Sequence, residues 1–152
     1  MDASDRALLE ATVRDAVSGA AGSGASVDEV LADLGWSEML AAEPRAAVEI
    51  VFEVLGRTNA VAGVLDDVVV SALGLPPRPD RAVLLPGFGA WDVPADGEGL
   101  GTSRIAVASE VVVVGTAGVA VVDVADCAVE PIGGADPLGG WHRVRVVGAS
   151  AP

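Results

Sequence analysis

The chain contains no lysine, no glutamine and no tyrosine. Among its 152 residues stand one cysteine (Cys127), one histidine (His142) and one asparagine (Asn59), and all nine basic residues are arginine. Each shortage excludes a chemistry. A single thiol forbids an internal disulfide and a cysteine-rich zinc site. A single imidazole, with one thiol, gives no multi-histidine metal site, so no metal is expected. Without lysine there is no Walker-type phosphate loop. Long apolar runs are scarce as well. "EVVVVGTAGVAVVDV" is too short and too rich in glycine to span a bilayer, and the acidic, polar N-terminus has no apolar signal core. A cytoplasmic location is therefore expected.

Positive charge is the other scarce commodity. Nine basic residues face 22 acids, for a formal charge of −13. That balance argues against nucleic acid, whose phosphates need a basic surface, and against anionic membrane surfaces. Residues 1–75 hold thirteen of the acids and four of the arginines. The acids read as a solvated face that maintains solubility, with docking of a basic partner as the alternative. What the chain does have is alanine, valine and glycine. Half of it is apolar, enough for one ordinary domain or two small lobes.

Residues 1–75 carry helical periodicity. In "SDRALLEATVRDAVSGA", Leu9, Val13, Ala16 and Val17 share a face, and Ser4 or Asp5 can cap the start. Ser26 with Glu29 makes a capping-box pattern for a helix ended by Gly35. Pro44 suits the first position of a helix closed by Gly56, with Val48, Val51, Phe52 and Leu55 in one stripe. A last helix, in "TNAVAGVLDDVVVSALG", aligns Val61, Val64, Leu65, Val68, Val69 and Ala72 and points Asp66 and Asp67 away. The two stripes are predicted to face each other as an antiparallel pair.

The proline-rich residues 76–80 are a linker. From residue 81 the period shortens. "RAVLLP", "AWDVP", "SRIAVA", "EVVVVG", "GVAVVDV", "AVEPI" and "WHRVRVVG" read as strands, with a hairpin at Gly115 to Gly118 and Val144 and Val146 alternating inward against Arg143 and Arg145. The predicted class is α+β: a helical bundle over residues 1–75, then a small antiparallel β-barrel or sandwich over 81–152.

"ADGEGLGTSR" poses a sharper question, because Gly97, Gly99 and Gly101 imitate a phosphate loop. Such loops need a helix to follow the glycines, and "RIAVASEVVVV" is strand material. The glycines are predicted to be turn glycines with positive φ.

Taken together, "LADLGWSEMLAAEP" and "AAVEIVFEVLGRTNAVAGVLDDVVVSALG" resemble the N-terminal helical domain of acyl-CoA dehydrogenases, with its leucine-glycine-tryptophan helix end and its helix closing on "LGR". The second half resembles that family's middle domain: Ala82-Val83-Leu84-Leu85-Pro86 for the flavin-side strand, Asp96-Gly97 with Leu100, Gly101 and Arg104 for the following turn, then Ala108-Ser109-Glu110 and Val122-Asp123, and "DPLGGWHRVRVVG" for the strand leading out. The likeness runs from about residue 27 to 148. It implies dehydrogenation of an acyl thioester, in which a carboxylate takes the α-proton and a flavin takes hydride from the β-carbon.

By family position the flavin contacts fall on Leu84, Leu85, Ile105, Ala106 and Val107. These are apolar where the family has Thr, Glu and an aromatic-hydroxyl segment. The C-terminal helical domain, with the family's catalytic Glu, has no counterpart among these residues, so no catalytic residue is assigned. FAD is accordingly expected only with a partner chain. The carboxylates Asp66, Asp67, Asp92, Asp96, Glu98, Asp123, Asp126, Glu130 and Asp136 read as solvated, Arg104 as half of a surface pair, and His142-Arg143 as a strand terminus able to meet an anion. Cys127 reads as a small buried hydrophobe, and Trp36, Trp91 and Trp141 as core or strand-edge cover.

Three readings follow. The chain is a non-catalytic subunit docking on a larger acyl-CoA dehydrogenase-like chain, or on a copy of itself. It is otherwise a degenerate stand-alone binding or scaffold module without flavin, in effect a pseudoenzyme of lipid metabolism. In the third, it is an unrelated pocket protein or small cyclase-like enzyme.

Overall fold

A computed structural model describes residues 2–93, 97–116, 118–134 and 139–147. Among these residues it is α+β, with five α-helices and two three-stranded sheets. The chain divides into two compact units, one up to Val64 and one from Leu65 onward.

The first unit is helical. Helix α1 (Ala3–Ser23) is capped by Asp2, whose carboxylate accepts from the amides of Ser4 and Asp5 at 2.8 Å each. The cap lies upstream of the expected Ser4 or Asp5, because it is Asp2 that keeps extended backbone. Helix α2 (Val27–Asp33) is capped by Ser26 on the Glu29 amide, as its sequence pattern predicts. Gly35 takes the left-handed conformation, and a further helix, α3 (Trp36–Ala42), starts at once. Pro44 is the first residue of α4 (Pro44–Thr58). That helix runs through Gly56 rather than ending there. Its stop is the single asparagine, Asn59, with φ 52°.

The buried face of α4 is Ala47, Ile50, Val51, Val54 and Leu55, one helical stripe that meets α1 and α3. Val13, Val17, Leu31, Trp36 and Leu40 complete this core. Asp28 holds the chain after α4 by accepting the Gly63 amide on both carboxylate oxygens, 3.0 Å each.

The second unit begins within α5 (Val64–Ala72), earlier than the boundary at residue 75 that composition suggests. Strand β1 (Arg81–Leu84) pairs in parallel with β3 (Glu110–Gly115), which pairs antiparallel with β4 (Gly118–Asp123) through the predicted hairpin. A second sheet has β6 (His142–Val146) between β2 (Glu98–Gly101) and β5 (Cys127–Pro131), all antiparallel. One antiparallel bridge, Leu85 to Leu100, joins the sheets. The sheets are thus not closed into a barrel, and the β1–β3 pair is parallel because β2 and the turn after it carry the chain across between them.

Two predicted strands do not form. "SRIAVA" is a 3-10 turn over Ser103–Ala106, started by the Thr102 hydroxyl accepting the Arg104 amide at 3.2 Å. "AWDVP" is irregular through Val93, and Pro94 lies outside the described residues.

Packing explains the valine runs. Ala82, Leu84, Val111 and Val113 face one core with Ile105, Val122, Val144 and Val146. Val83 and Val112 face the other side, against Val70 of α5. A strand buried on both faces needs no polar alternation, and "VVVV" results.

Candidate functional site

The polar centre of the second unit is built where the sequence pattern places none. Periodicity turns Asp66 and Asp67 outward; in the structure their exposures are 0% and 5%. Helix α5 buries positions 66, 67 and 70 and leaves Val68 and Val69 half-buried, so its inward face is acidic at one end and apolar at the other. Asp66 Oδ1 accepts the Val83 amide of β1 at 2.7 Å, and Oδ2 accepts the Thr102 hydroxyl at 2.5 Å. Asp67 takes the Arg104 guanidinium in a fork, Nη1 to Oδ1 and Nη2 to Oδ2, the latter at 2.9 Å. Arg104, predicted at the surface, is therefore buried.

The environment acts on Asp66 strongly. Burial pushes its carboxyl up to about 6, against the opposing pull of the Thr102 hydroxyl, the Val83 amide and the Arg104 charge. The signal available in the sequence was the setting of the acids. "VAGVLDDVVVSALG" has no basic residue one turn away to solvate or pair them, and two acids inside such an apolar helix need partners from elsewhere.

The glycines answer to the same centre. Gly97 has the predicted positive φ, 65°. Gly99 and Gly101 instead lie within β2, where Gly99 is required by close approach and Gly101 is tightly packed. A Cβ on Gly99 would stand 2.2 Å from the Leu85 carbonyl oxygen, and one on Gly101 would stand 3.0 Å from Ile105 Cβ.

The five positions matched to flavin contacts separate. Leu84 and Ile105 meet inside the core, Leu85 is half-buried beside Val70 and Val83, and Ala106 and Val107 are exposed. None carries a side-chain donor or acceptor, and two are sealed in the core. As a set they do not fit a flavin held by this chain alone.

The outer face of the β2-β6-β5 sheet has an open concavity of about 230 Å³ lined by Glu98, Ala128, Glu130, Arg143 and Arg145. Arg143 Nε lies 4.0 Å from Glu98. An exposed pair at this distance is worth little energy. His142 sits at the start of β6 with Nδ1 3.0 Å from the Gly140 carbonyl oxygen. Cys127 opens β5, half-buried as a partial hydrophobe, and its thiol is pushed up by burial and by Asp126 and Asp123. Asp96 and Asp136 lie outside the described residues. Among the described residues no group of three or more His, Cys, Asp and Glu is placed to hold a metal ion, and no helix is long and apolar enough to cross a membrane.

Of the tryptophans, Trp36 is core. Trp141 stacks edge-on against Phe88 at 5.8 Å. Trp91 departs from the core-or-cover reading: it is 95% exposed, on a loop whose Phe88 is 71% exposed.

No family model matches the chain, and neither a curated protein nor a solved structure is found to be similar to it.

Proposed function

We propose that the chain is a non-catalytic, partner-dependent component of an acyl-CoA dehydrogenase-like assembly, in which a larger chain supplies the flavin site and the carboxylate base. The observation that carries this reading is the loop after β1. Phe88, Trp91 and Val93 project into solvent there, while Trp141 braces Phe88 from the side. Exposed aromatics concentrated on one segment are the hallmark of contact surfaces, where they supply large apolar area at small entropic cost. In the resemblance this loop directly follows the flavin-side strand, so a partner docked on it would lie beside that strand.

The chemistry of the remaining residues favours the same division of labour. Dehydrogenation needs a base with access to an acyl α-carbon. Asp66 has a raised pKa but no exposed surface, and its oxygens are committed to Val83 and Thr102. Leu84, Leu85, Ile105, Ala106 and Val107 bring no polar group to a flavin. What this chain contributes is a docking surface and a wall.

The test is to express the tagged chain with its genomic neighbours, purify it and record native masses. The expected result is a complex with a larger chain carrying a mass increment equal to FAD, active on acyl-CoA with an artificial electron acceptor. Recovery of the chain alone and colourless from that co-expression, with no FAD-bearing complex, overturns the reading.

A further inference from the structure

We propose that the free edge of β4 docks a second copy of this chain, the two β4 strands pairing antiparallel about Ala120 to give one sheet of order β1-β3-β4-β4-β3-β1. The observations behind it are separate from the flavin reading and from the loop after β1. Among the described residues the second unit leaves an open edge on β4 of one sheet and on β5 of the other, because the Leu85–Leu100 bridge joins the sides of β1 and β2. On β5, the Ile132 amide donates to the Trp141 carbonyl at 2.9 Å and the Val147 amide to the Asp126 carbonyl at 2.8 Å. Antiparallel alternation then turns the backbone groups of Cys127, Val129 and Pro131 outward. Pro131 has no N–H to offer a further strand, so that edge is blunted.

The edge of β4 has no such guard. The Val124 amide donates to the Ser109 carbonyl at 2.9 Å, one step beyond the Glu110–Asp123 pair. Counting back by alternation, Gly118, Ala120 and Val122 bond to β3, while Val119, Val121 and Asp123 turn their N–H and C=O groups to the open side. Among the described residues no strand pairs with that side. The strand itself, "GVAVVD", holds no proline and no charge before Asp123. An edge of this kind is a ready template for another strand.

Side chains and charge select the occupant. Val121 stands opposite Val112, and Val119 opposite Val114, so both lie on the face where Val112 packs against Val70 of α5. Helix α5 covers Val83 and Val112 there and leaves Val119 and Val121 each 47% exposed. A two-fold axis through Ala120 sets Val119 opposite the partner's Val121 and the reverse. Each such pair exchanges both N–H···O bonds, and the valines of the two copies join in one apolar band. A register centred on Val121 would instead set Asp123 against the partner's Val119. A basic partner would find nothing to pair with along Gly118–Val122, although the chain's net charge is −13. What matches this edge is an uncharged β-branched strand, and the chain itself supplies one. Pairing one short strand buries well under the roughly 1,600 Å² of a standard interface, so the dimer is weak. Repulsion between two acidic copies makes it tighten with salt.

Two measurements on the full wild-type chain test this. In sedimentation equilibrium the mean mass should climb from one chain towards two between about 10 μM and about 1 mM, and further at about 0.5 M salt than at about 0.05 M. A single-chain mass throughout overturns the proposal. Amide exchange by NMR, dilute against concentrated, should show protection of Val119 and Val121 rising about fivefold or more, while Ala120 and Val122, already bonded to β3, change little. A dimer without that odd-residue pattern is paired elsewhere and also overturns the proposal. Val121→Pro removes an outward N–H and no bond to β3, so the variant should keep its circular dichroism and stay monomeric. A folded Val121→Pro chain that still dimerises overturns the edge. In a Cys127→Ala background, oxidation with copper phenanthroline should link Ala120→Cys to its own copy and leave Val119→Cys unlinked, because only position 120 meets itself across the axis. The reverse outcome overturns the register.

Discussion

Arg104 lays its guanidinium across the carboxylate of Asp67, Nη2 to Oδ2 at 2.9 Å, with both side chains 7% exposed. The two lie 37 positions apart in sequence, so the fork ties a helix to the turn that leads from one sheet to the other. Beside it, Asp66 ties the same helix to β1 through the Val83 amide. The helix is held to the β elements by polar bonds at one end and by Val70 at the other.

Arg104→Ala strips Asp67 of that guanidinium in a buried setting. A broken buried ion pair costs about 3–5 kcal/mol because the remaining charge is still desolvated. Replacing both partners, as Arg104→Met with Asp67→Leu, should recover most of that loss, since apolar residues of similar volume carry no desolvation penalty. Urea unfolding of Arg104→Ala and of the double variant measures both. A cost below about 1 kcal/mol for Arg104→Ala would mean the pair is solvated after all.

Gly99→Ala and Gly19→Ala should move stability in opposite directions. The new Cβ at Gly99 would meet the Leu85 carbonyl oxygen at 2.2 Å, a backbone atom already fixed by accepting the Leu100 amide at 2.8 Å. Overpacking of this kind costs about 3 kcal/mol or more. Gly19 lies exposed within α1 with open space around its Cβ position, so alanine there should add up to about 1 kcal/mol through helix propensity. Thermal unfolding of the pair provides the check.

These variants mark where sequence reasoning reaches and where it stops. Local signals were legible: the Ser26 cap, Pro44 at the head of α4, the Gly115–Gly118 hairpin, and the in-out alternation of Val144 and Val146 against Arg143 and Arg145. Each depends on neighbours within a few positions. The parallel pairing of β1 with β3 depends on residues about thirty positions apart, and nothing in either run distinguishes it from an antiparallel one. Strand β2, "EGLG", has almost no strand propensity, because its side-chain space is filled by Leu85, Ile105 and Val144. The buried acids were hidden by the periodicity rule itself, which assigns charge to solvent unless a partner is known. Arg104 and Thr102 were in plain view in "GTSR", but their distance from α5 in sequence concealed the partnership.

Cys127 should react slowly with alkylating agents. Only the thiolate attacks, and burial together with the charges of Asp126 and Asp123 pushes the thiol above its ordinary value. The pH midpoint of the iodoacetamide rate should lie above that of a cysteine peptide measured alongside. Asp126→Asn removes one of the charges and should move the midpoint down without unfolding the chain. A midpoint equal to the peptide's would show that the thiol is solvated.

Trp91 and Trp36 make a contrasting pair for the docking surface. Trp36 is buried among the helices of the first unit, and its truncation to alanine should cost about 3–5 kcal/mol. Trp91 is 95% exposed, so Trp91→Ala should change unfolding free energy by no more than about 0.5 kcal/mol. It should also remove the red-shifted, acrylamide-quenched part of the fluorescence. If the loop after β1 is the contact surface, the same substitution weakens complex formation by about 2 kcal/mol or more, the loss expected for a central aromatic anchor. The two readouts separate the roles of the residue. Unchanged stability with lost association assigns Trp91 to the interface, whereas unchanged stability with intact association moves the docking surface elsewhere on the chain.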